Sequence, residues 1–486
     1  MNATYRKRAL PAILLFVLIG WQLTFVAQRH TLTTDYALPE IIGLHRDVFH
    51  NFLYFFHYLG VFPVGSEVLQ REYSKAGAEA FVKEHGSSLR MDLMTGAGKM
   101  GDYGKIFLYL PDVWVSGSPE KAQVKLFNMF FFMTSLVALF ISFWINGYPL
   151  LGGLLAIFIG SDPFQLYQTY RFHNVFSITI SLAVLALALN FRFFLPKVEP
   201  RSWHFALAAL CGALTAFSKC VRVESSFIFY AIFLIYLVMQ APWKHRAALM
   251  ITLVVTSTAA SRFYESWSNR IYQRSVEFVE SHGGVPYKGP RRQHHVVWHT
   301  LAAGLGDYGQ KHGYAWNDTK IFEYGVPKMI ERYFPNYSWT PGSHWLNNSH
   351  DGNGVYPIQP EDLPEYELVM REKILGDIVS DPLWYVGVLM KRTWRILTET
   401  TPVSLAIGHH RIGAPLHGLL VLIFLAFLVY AREWVYVRLI LFTLPLSLGS
   451  LLHFSGSGMT YYAIYHLIAF SIALSFLIRS RRPALR

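Results

Sequence analysis

Residues 204–261, HFALAALCGALTAFSKCVRVESSFIFYAIFLIYLVMQAPWKHRAALMITLVVTSTAAS, decide the fold class. Three apolar runs, 204–218, 225–241 and 246–261, are separated by two short polar connections. The first connection carries Lys219, Arg222 and Glu224, and the second carries Lys244 and Arg246. A helix needs about 20 residues to cross a hydrocarbon core, so the short run 204–218 reads as tilted or re-entrant.

The same pattern extends to both ends of the chain. Further apolar runs lie at 9–27, 124–145, 147–161, 173–194, 412–430, 434–453 and 459–478. Of the 486 residues, 53% are hydrophobic and 15% charged, where a soluble protein carries about 25% charged residues. The expectation is an all-α polytopic membrane protein of about ten transmembrane helices. The run 9–27 follows Arg6, Lys7 and Arg8 and lacks a small-x-small cleavage site, so it reads as an uncleaved signal anchor.

Positive charge sets the orientation. With the N-terminus inside, the inner connections receive Arg192, Lys197 and Arg201, then Lys244 and Arg246, then Arg432, and the tail receives Arg479, Arg481, Arg482 and Arg486. Two long loops, 28–123 and 262–411, then face outward. The second is too long for a connector and predicts a small mixed α/irregular domain. Three regions follow: 1–261 with its large first loop, the extracytoplasmic insertion 262–411, and the C-terminal helices 412–486. The stretch FHNFLYFFHYLGVF (49–62) reads as an interfacial helix.

The net charge of +12 comes from span ends and loops rather than from a basic stripe with interleaved aromatics, which excludes nucleic acid as a partner. Two cysteines, Cys211 and Cys220, both in or beside an apolar run, exclude a disulfide-stapled outer domain. Ionisable residues are scarce within the runs and gather at their outer ends. That arrangement favours chemistry at the outer face over ion-coupled transport.

Three outer clusters carry this reading. TTDYALPEIIGLHRD holds Asp35, Glu40, His45 and Asp47; GSDPFQLYQTYRFHN holds Asp162, Tyr167, Tyr170, Arg171 and His173; SKCVRVE holds Lys219, Arg222 and Glu224. The bland readings are a turn capped by Asp162 before Pro163 and basic side chains snorkelling to headgroups.

The layout resembles the GT-C superfamily of membrane glycosyltransferases, which use polyprenyl-phosphate sugars, and its protein O-mannosyltransferase-like branch in particular. The shared features are a large first outer loop with acidic residues, seven runs, and then an outer insertion. The segment GALTAFSKCVRVE (212–224) is similar to the family's small-residue helix ending in a basic residue. The family's adjacent acidic pair after helix 1 is replaced here by the spread set Asp35, Glu40 and Asp47.

The resemblance implies transfer of a sugar from a polyprenyl-phosphate donor to an envelope glycan, lipid or protein acceptor, at a site facing the periplasm of a bacterial inner membrane. Asp35 or Glu40 would take the acceptor proton, with Asp162 orienting the acceptor or holding a metal. Arg171, Lys219 and Arg222 would hold the donor phosphate, since the arginine fork matches phosphate oxygens. A divalent cation, Mg or Mn, could share that neutralisation. His45, Asp47, His173 and Glu224 are supporting candidates.

Other signals are weaker. His295 and His299, at i, i+4 spacing in HHVVWH, lack the glutamate of a zincin motif. SHDGNG (349–354) lacks the closing ligands of a calcium loop. GLGDYG (304–309) departs from dinucleotide-loop spacing. Tyr308, Tyr314 and Trp316 are candidate sugar-facing aromatics, and Asn317, Asn336 and Asn347 sit in Asn-x-Ser/Thr sequons. Two other classes stay open: a transporter or flippase of lipid-linked saccharide, which would need polar groups at mid-depth, and a non-catalytic scaffold.

Overall fold

The tight turn at Asn146–Tyr148 folds two apolar helices back on each other. Gly147 takes a φ of +87°, and the amide of Tyr148 donates to the carbonyl of Phe143 at 2.8 Å. Glycine adopts that left-handed geometry without a Cβ clash. The helices are α1 (Leu126–Ile145) and α2 (Pro149–Ser161). Their approach is close because a Cβ on Gly152 would lie 2.5 Å from the Cβ of Phe143. This computed structural model describes residues 126–162, 176–221, 223–281, 297–308, 311–343, 346–348, 357–358, 360–398, 400–407, 410–452 and 459–480, with isolated positions outside these ranges.

The chain is predominantly helical. After α2 come α3 (Phe176–Asn190), α4 (Trp203–Val221), α5 (Phe227–Val238) and α6 (Trp243–Ser281). The outer unit follows: α7 (Trp298–Leu305), α8 (Asp318–Tyr333), strands β1 (Tyr337–Trp339), β2 (Leu346–Asn348) and β3 (Pro357–Ile358), then α9 (Pro364–Ser380) and α10 (Pro382–Thr398). The hairpin β4 (Thr400–Ile407) and β5 (His410–His417) leads to α11 (Gly418–Tyr430), α12 (Trp434–Thr443), α13 (Leu448–Leu452) and α14 (Met459–Ser480). The short sheet is antiparallel in the order β1-β2-β3, and β4 pairs antiparallel with β5 from Thr400–His417 to Ile407–His410.

Two cores organise these elements. One joins α1 to α6 with α11, α12 and α14. The other joins α7 to α10 with β2, around Tyr314, Phe322, Tyr366 and Met370.

The helix α4 is longer than the run 204–218, and α6 continues through residue 261 to Ser281 as one rod. At about 1.5 Å per residue α6 reaches some 58 Å, roughly twice a hydrocarbon core. The apolar run 412–430 is helical only from Gly418, because its first residues belong to β5. Two helices among the described residues are long and apolar enough to cross a membrane, Trp203–Val221 and the segment Trp243–Phe278 of α6; the other apolar helices searched are shorter.

Small residues bring α4 and α6 together. A Cβ on Gly212 would collide with Thr256 and lie 2.9 Å from both the Leu253 carbonyl oxygen and the Ser257 nitrogen. The two helices run parallel: His204 meets His245 at 3.1 Å and, further along, Thr215 meets Ser257 at 3.4 Å. Small residues let the two backbones approach this closely.

The basic connections share one face. The amide of Val198 donates to the carbonyl of Gln240 at 3.0 Å, tying the α3–α4 link to the α5–α6 link. Arg438, in the middle of α12, donates to the Phe194 carbonyl at 2.6 Å. The links bearing Arg192, Lys197 and Arg201, Lys244 and Arg246, and Arg432 therefore gather together, as the charge pattern predicts.

Candidate functional site

The opposite face holds the ends of α2 and α4. Helix α2 ends in Asp162, which is buried with φ −64° and ψ 121°, so the chain leaves the helix in extended form at this residue. Lys219 lies in the last turn of α4 and is exposed. Its cationic head at a helix C-terminus sits in the favourable field of the helix dipole.

The turn after α4 is pinned from within. Ser225 donates its hydroxyl to the Ser218 carbonyl, and Ser218 donates to the Thr215 carbonyl at 2.8 Å. A first-loop residue closes the same end: the amide of Gly104 donates to the Cys220 carbonyl at 3.0 Å. A Cβ on Gly104 would lie 2.9 Å from the Cys220 carbonyl carbon, so only glycine lets the first loop approach this closely. Gly104, from the loop 28–123, and the Lys219 turn thus meet at one end of α4.

Asp162 is not brought against Lys219 by any described contact, since α2 packs on α1 and α14 while α4 packs mainly on α6. Asp35, Glu40, His45, Asp47, Arg171, His173 and Arg222 lie outside the described residues, as do Tyr167, Tyr170, His295, and the stretches 49–62 and 349–354. Glu224 falls in the 3-10 turn Val223–Ser226. Comparison with protein-family models, curated proteins and solved structures finds no match to this chain.

In the outer unit one aromatic departs from its reading. Tyr314 is packed inside rather than offered to a sugar. It stacks on Trp384 with ring centroids 5.6 Å apart and planes 6° from parallel, and its hydroxyl donates to Asp377 at 2.7 Å. Burial pushes its phenol well above the ordinary value, and the hydrogen bond to Asp377 adds to the shift. Trp316 is exposed and Tyr308 half-buried. Gly306, in GLGDYG, is required by packing: a Cβ there would lie 2.5 Å from the Ala315 Cα.

A charged cluster that sequence reading missed surrounds Tyr314. Lys373 donates to Asp377 at 2.8 Å and to the His312 carbonyl at 2.9 Å, while its ammonium lies 4.7 Å from the Tyr314 ring centre. His312 Nε2 is 3.2 Å from Asp381, which also pairs with Lys311. The legible signal was the four-residue spacing of Lys373, Asp377 and Asp381 on one face of α9 and at its C-terminal end. His312 takes a left-handed φ of +59°, uncommon outside glycine, and Gly313 follows at +79°.

His299 has both ring nitrogens engaged, Nδ1 with Tyr366 at 2.9 Å and Nε2 with Asp318 at 3.2 Å. The carboxylate of Glu367 accepts the amides of Val297, Trp298 and His299 at 2.9–3.0 Å, satisfying the start of α7. Asn317 caps α8 by accepting the Lys320 amide at 3.3 Å.

Proposed function

We propose that this chain is a multi-pass membrane glycosyltransferase of about ten spans, transferring a sugar from a polyprenyl-phosphate donor to an acceptor at the outer face. The observation that supports the reading is the Gly104–Cys220 bond, which sets one residue of the loop 28–123 beside the cationic end of α4. A carboxylate from that loop and the Lys219 ammonium could then serve one reacting centre. Departure of the lipid phosphate develops negative charge, which fixed cations stabilise. Loss of the acceptor proton calls for a carboxylate within hydrogen-bond reach, contributing about 10²–10⁴-fold. Asp35 or Glu40 is assigned the base, Asp162 the orienting carboxylate, and Arg171, Lys219 and Arg222 the phosphate.

A flippase of lipid-linked saccharide is the second reading. It draws on His466, an ionisable side chain buried two turns inside α14.

Radiolabelled polyprenyl-phosphate sugars, an envelope acceptor fraction and the protein in lipid vesicles test both. Transfer should occur with wild type and fall at least about 10²-fold in Asp35→Asn or Glu40→Gln. Asp162→Asn should also impair transfer. Undiminished transfer in all three variants would sink the assignment, and label crossing the bilayer without transfer would favour the flippase.

A further inference from the structure

Helix α10 carries its polarity inside out. Leu383, Val386, Met390 and Trp394 recur at intervals of three and four, so they share one face. That face points away from the protein, with the four side chains between 52% and 82% exposed. The opposite face holds Val388 and Arg392, and Arg392 is fully buried at 0% exposure. Its guanidinium donates to the carbonyls of Leu451 and Leu452 at 3.0 and 3.1 Å and approaches Asp307 at 3.7 Å. A helix on the wet surface of a domain does the reverse, turning charge to solvent and apolar groups to the core.

The end of α10 also adjoins an apolar helix of the bundle. Gly418, the first residue of α11, sits against the Leu397 carbonyl with no room for a Cβ. On α11, Leu420, Ile423 and Phe427 are exposed as well, so an apolar helix with its own exposed side chains begins where α10 ends. Exposed Lys391 lies at the edge of the stripe, and Trp394 is part of it. Such residues anchor helices at the headgroup level. From Leu383 to Trp394 the stripe measures about 16 Å, close to half of a ~30 Å hydrocarbon core.

We infer that the exposed face of α10 seats in the outer leaflet, so that the outer unit is held on the membrane by lipid contact as well as by its connections to the bundle. The inference rests on the membrane reading given above. The occupant is acyl chain, because α10 ends against an apolar helix of the bundle and an aqueous surface would leave its four large apolar side chains in water.

Spin labels on the full chain in phosphatidylcholine–phosphatidylglycerol vesicles test this, in a Cys211→Ser, Cys220→Ala background. Leu383→Cys and Val386→Cys report on the stripe, with Met390→Cys as an independent third position. Ile251→Cys, exposed on the apolar stretch of α6, is the lipid reference, and Glu331→Cys, exposed on α8, is the water reference. The stripe labels should match position 251, being open to oxygen and shielded from a water-soluble nickel chelate. Labels matching position 331 overturn the inference. So do labels shielded from both probes, which would mean a protein neighbour such as a second copy. If position 251 itself behaves as water-exposed, the membrane reading falls and the inference with it.

Discussion

Tyr314 shows how a single side chain can be misread when its neighbours are distant in sequence. An aromatic in a Gly-rich loop suits a sugar, yet this one stacks on Trp384 and donates to Asp377, 63 residues away. Tyr314→Phe keeps the ring and deletes the donor. The charged hydrogen bond is lost while Lys373 still holds Asp377, so the outer unit should lose about 1–2 kcal/mol, read as a lowered thermal midpoint. Unchanged stability would mean that water replaces the hydroxyl. Asp381 behaves differently. The hydrogen bond from Lys311 holds its carboxyl below the ordinary value of 3.8, with His312 and the Trp384 amide acting in the same direction. A depressed folded value stabilises above the unfolded value and is lost as pH falls through the folded one. Wild type and Asp381→Asn should therefore differ most above about pH 4 and converge in more acid solution, in denaturant titrations across that range.

At the scale of elements, the contact between α4 and α6 depends on the missing side chain of Gly212. Its neighbours are the Leu253 carbonyl and the Ser257 nitrogen, which are backbone and cannot rotate aside. Gly212→Val should cost about 1–3 kcal/mol through overpacking, seen as earlier heat-induced aggregation in micelles. The sequence marked this segment as a small-residue helix, and its periodicity was legible. The partner was not, because small residues permit close approach without naming what approaches. The helical runs were legible from apolar length. Their ends were less so: α6 continues past residue 261 through SRFYESWSNR (261–270), which holds no Gly or Pro to break the helix, and the run at 412 begins in a strand because β4 pairs with it.

At the scale of the molecule, Arg392 ties the outer unit to the bundle, joining α10 to the carbonyls at the end of α13. Replacing it removes the donor to the Leu451 and Leu452 carbonyls and the cation beside Asp307. Arg392→Ala should destabilise the full chain by about 3 kcal/mol, and limited proteolysis should then cut the outer unit faster than in wild type. Equal cleavage rates would show that the interface holds without it. The basic links meeting on one face, with Gly104 and Lys219 on the other, match the alternation expected from charge placement, since that rule acts on each short connection separately. The acidic residues of the first loop named from the sequence, Asp35, Glu40 and Asp47, lie outside the described residues, so only the Asp162, Lys219 and Glu224 positions are placed.

The sequence by itself determined the helical class, the apolar segments and which basic links gather together. These follow from composition and local spacing, which are properties of contiguous residues. The tertiary structure decided which polar groups are buried and which apolar groups are not. Arg392 is buried because carbonyls 59 and 60 residues away receive it, and the Leu383–Trp394 stripe faces outward because that burial turns the helix. Rotation of a helix about its axis is set by its partners, and no local pattern specifies partners so far along the chain.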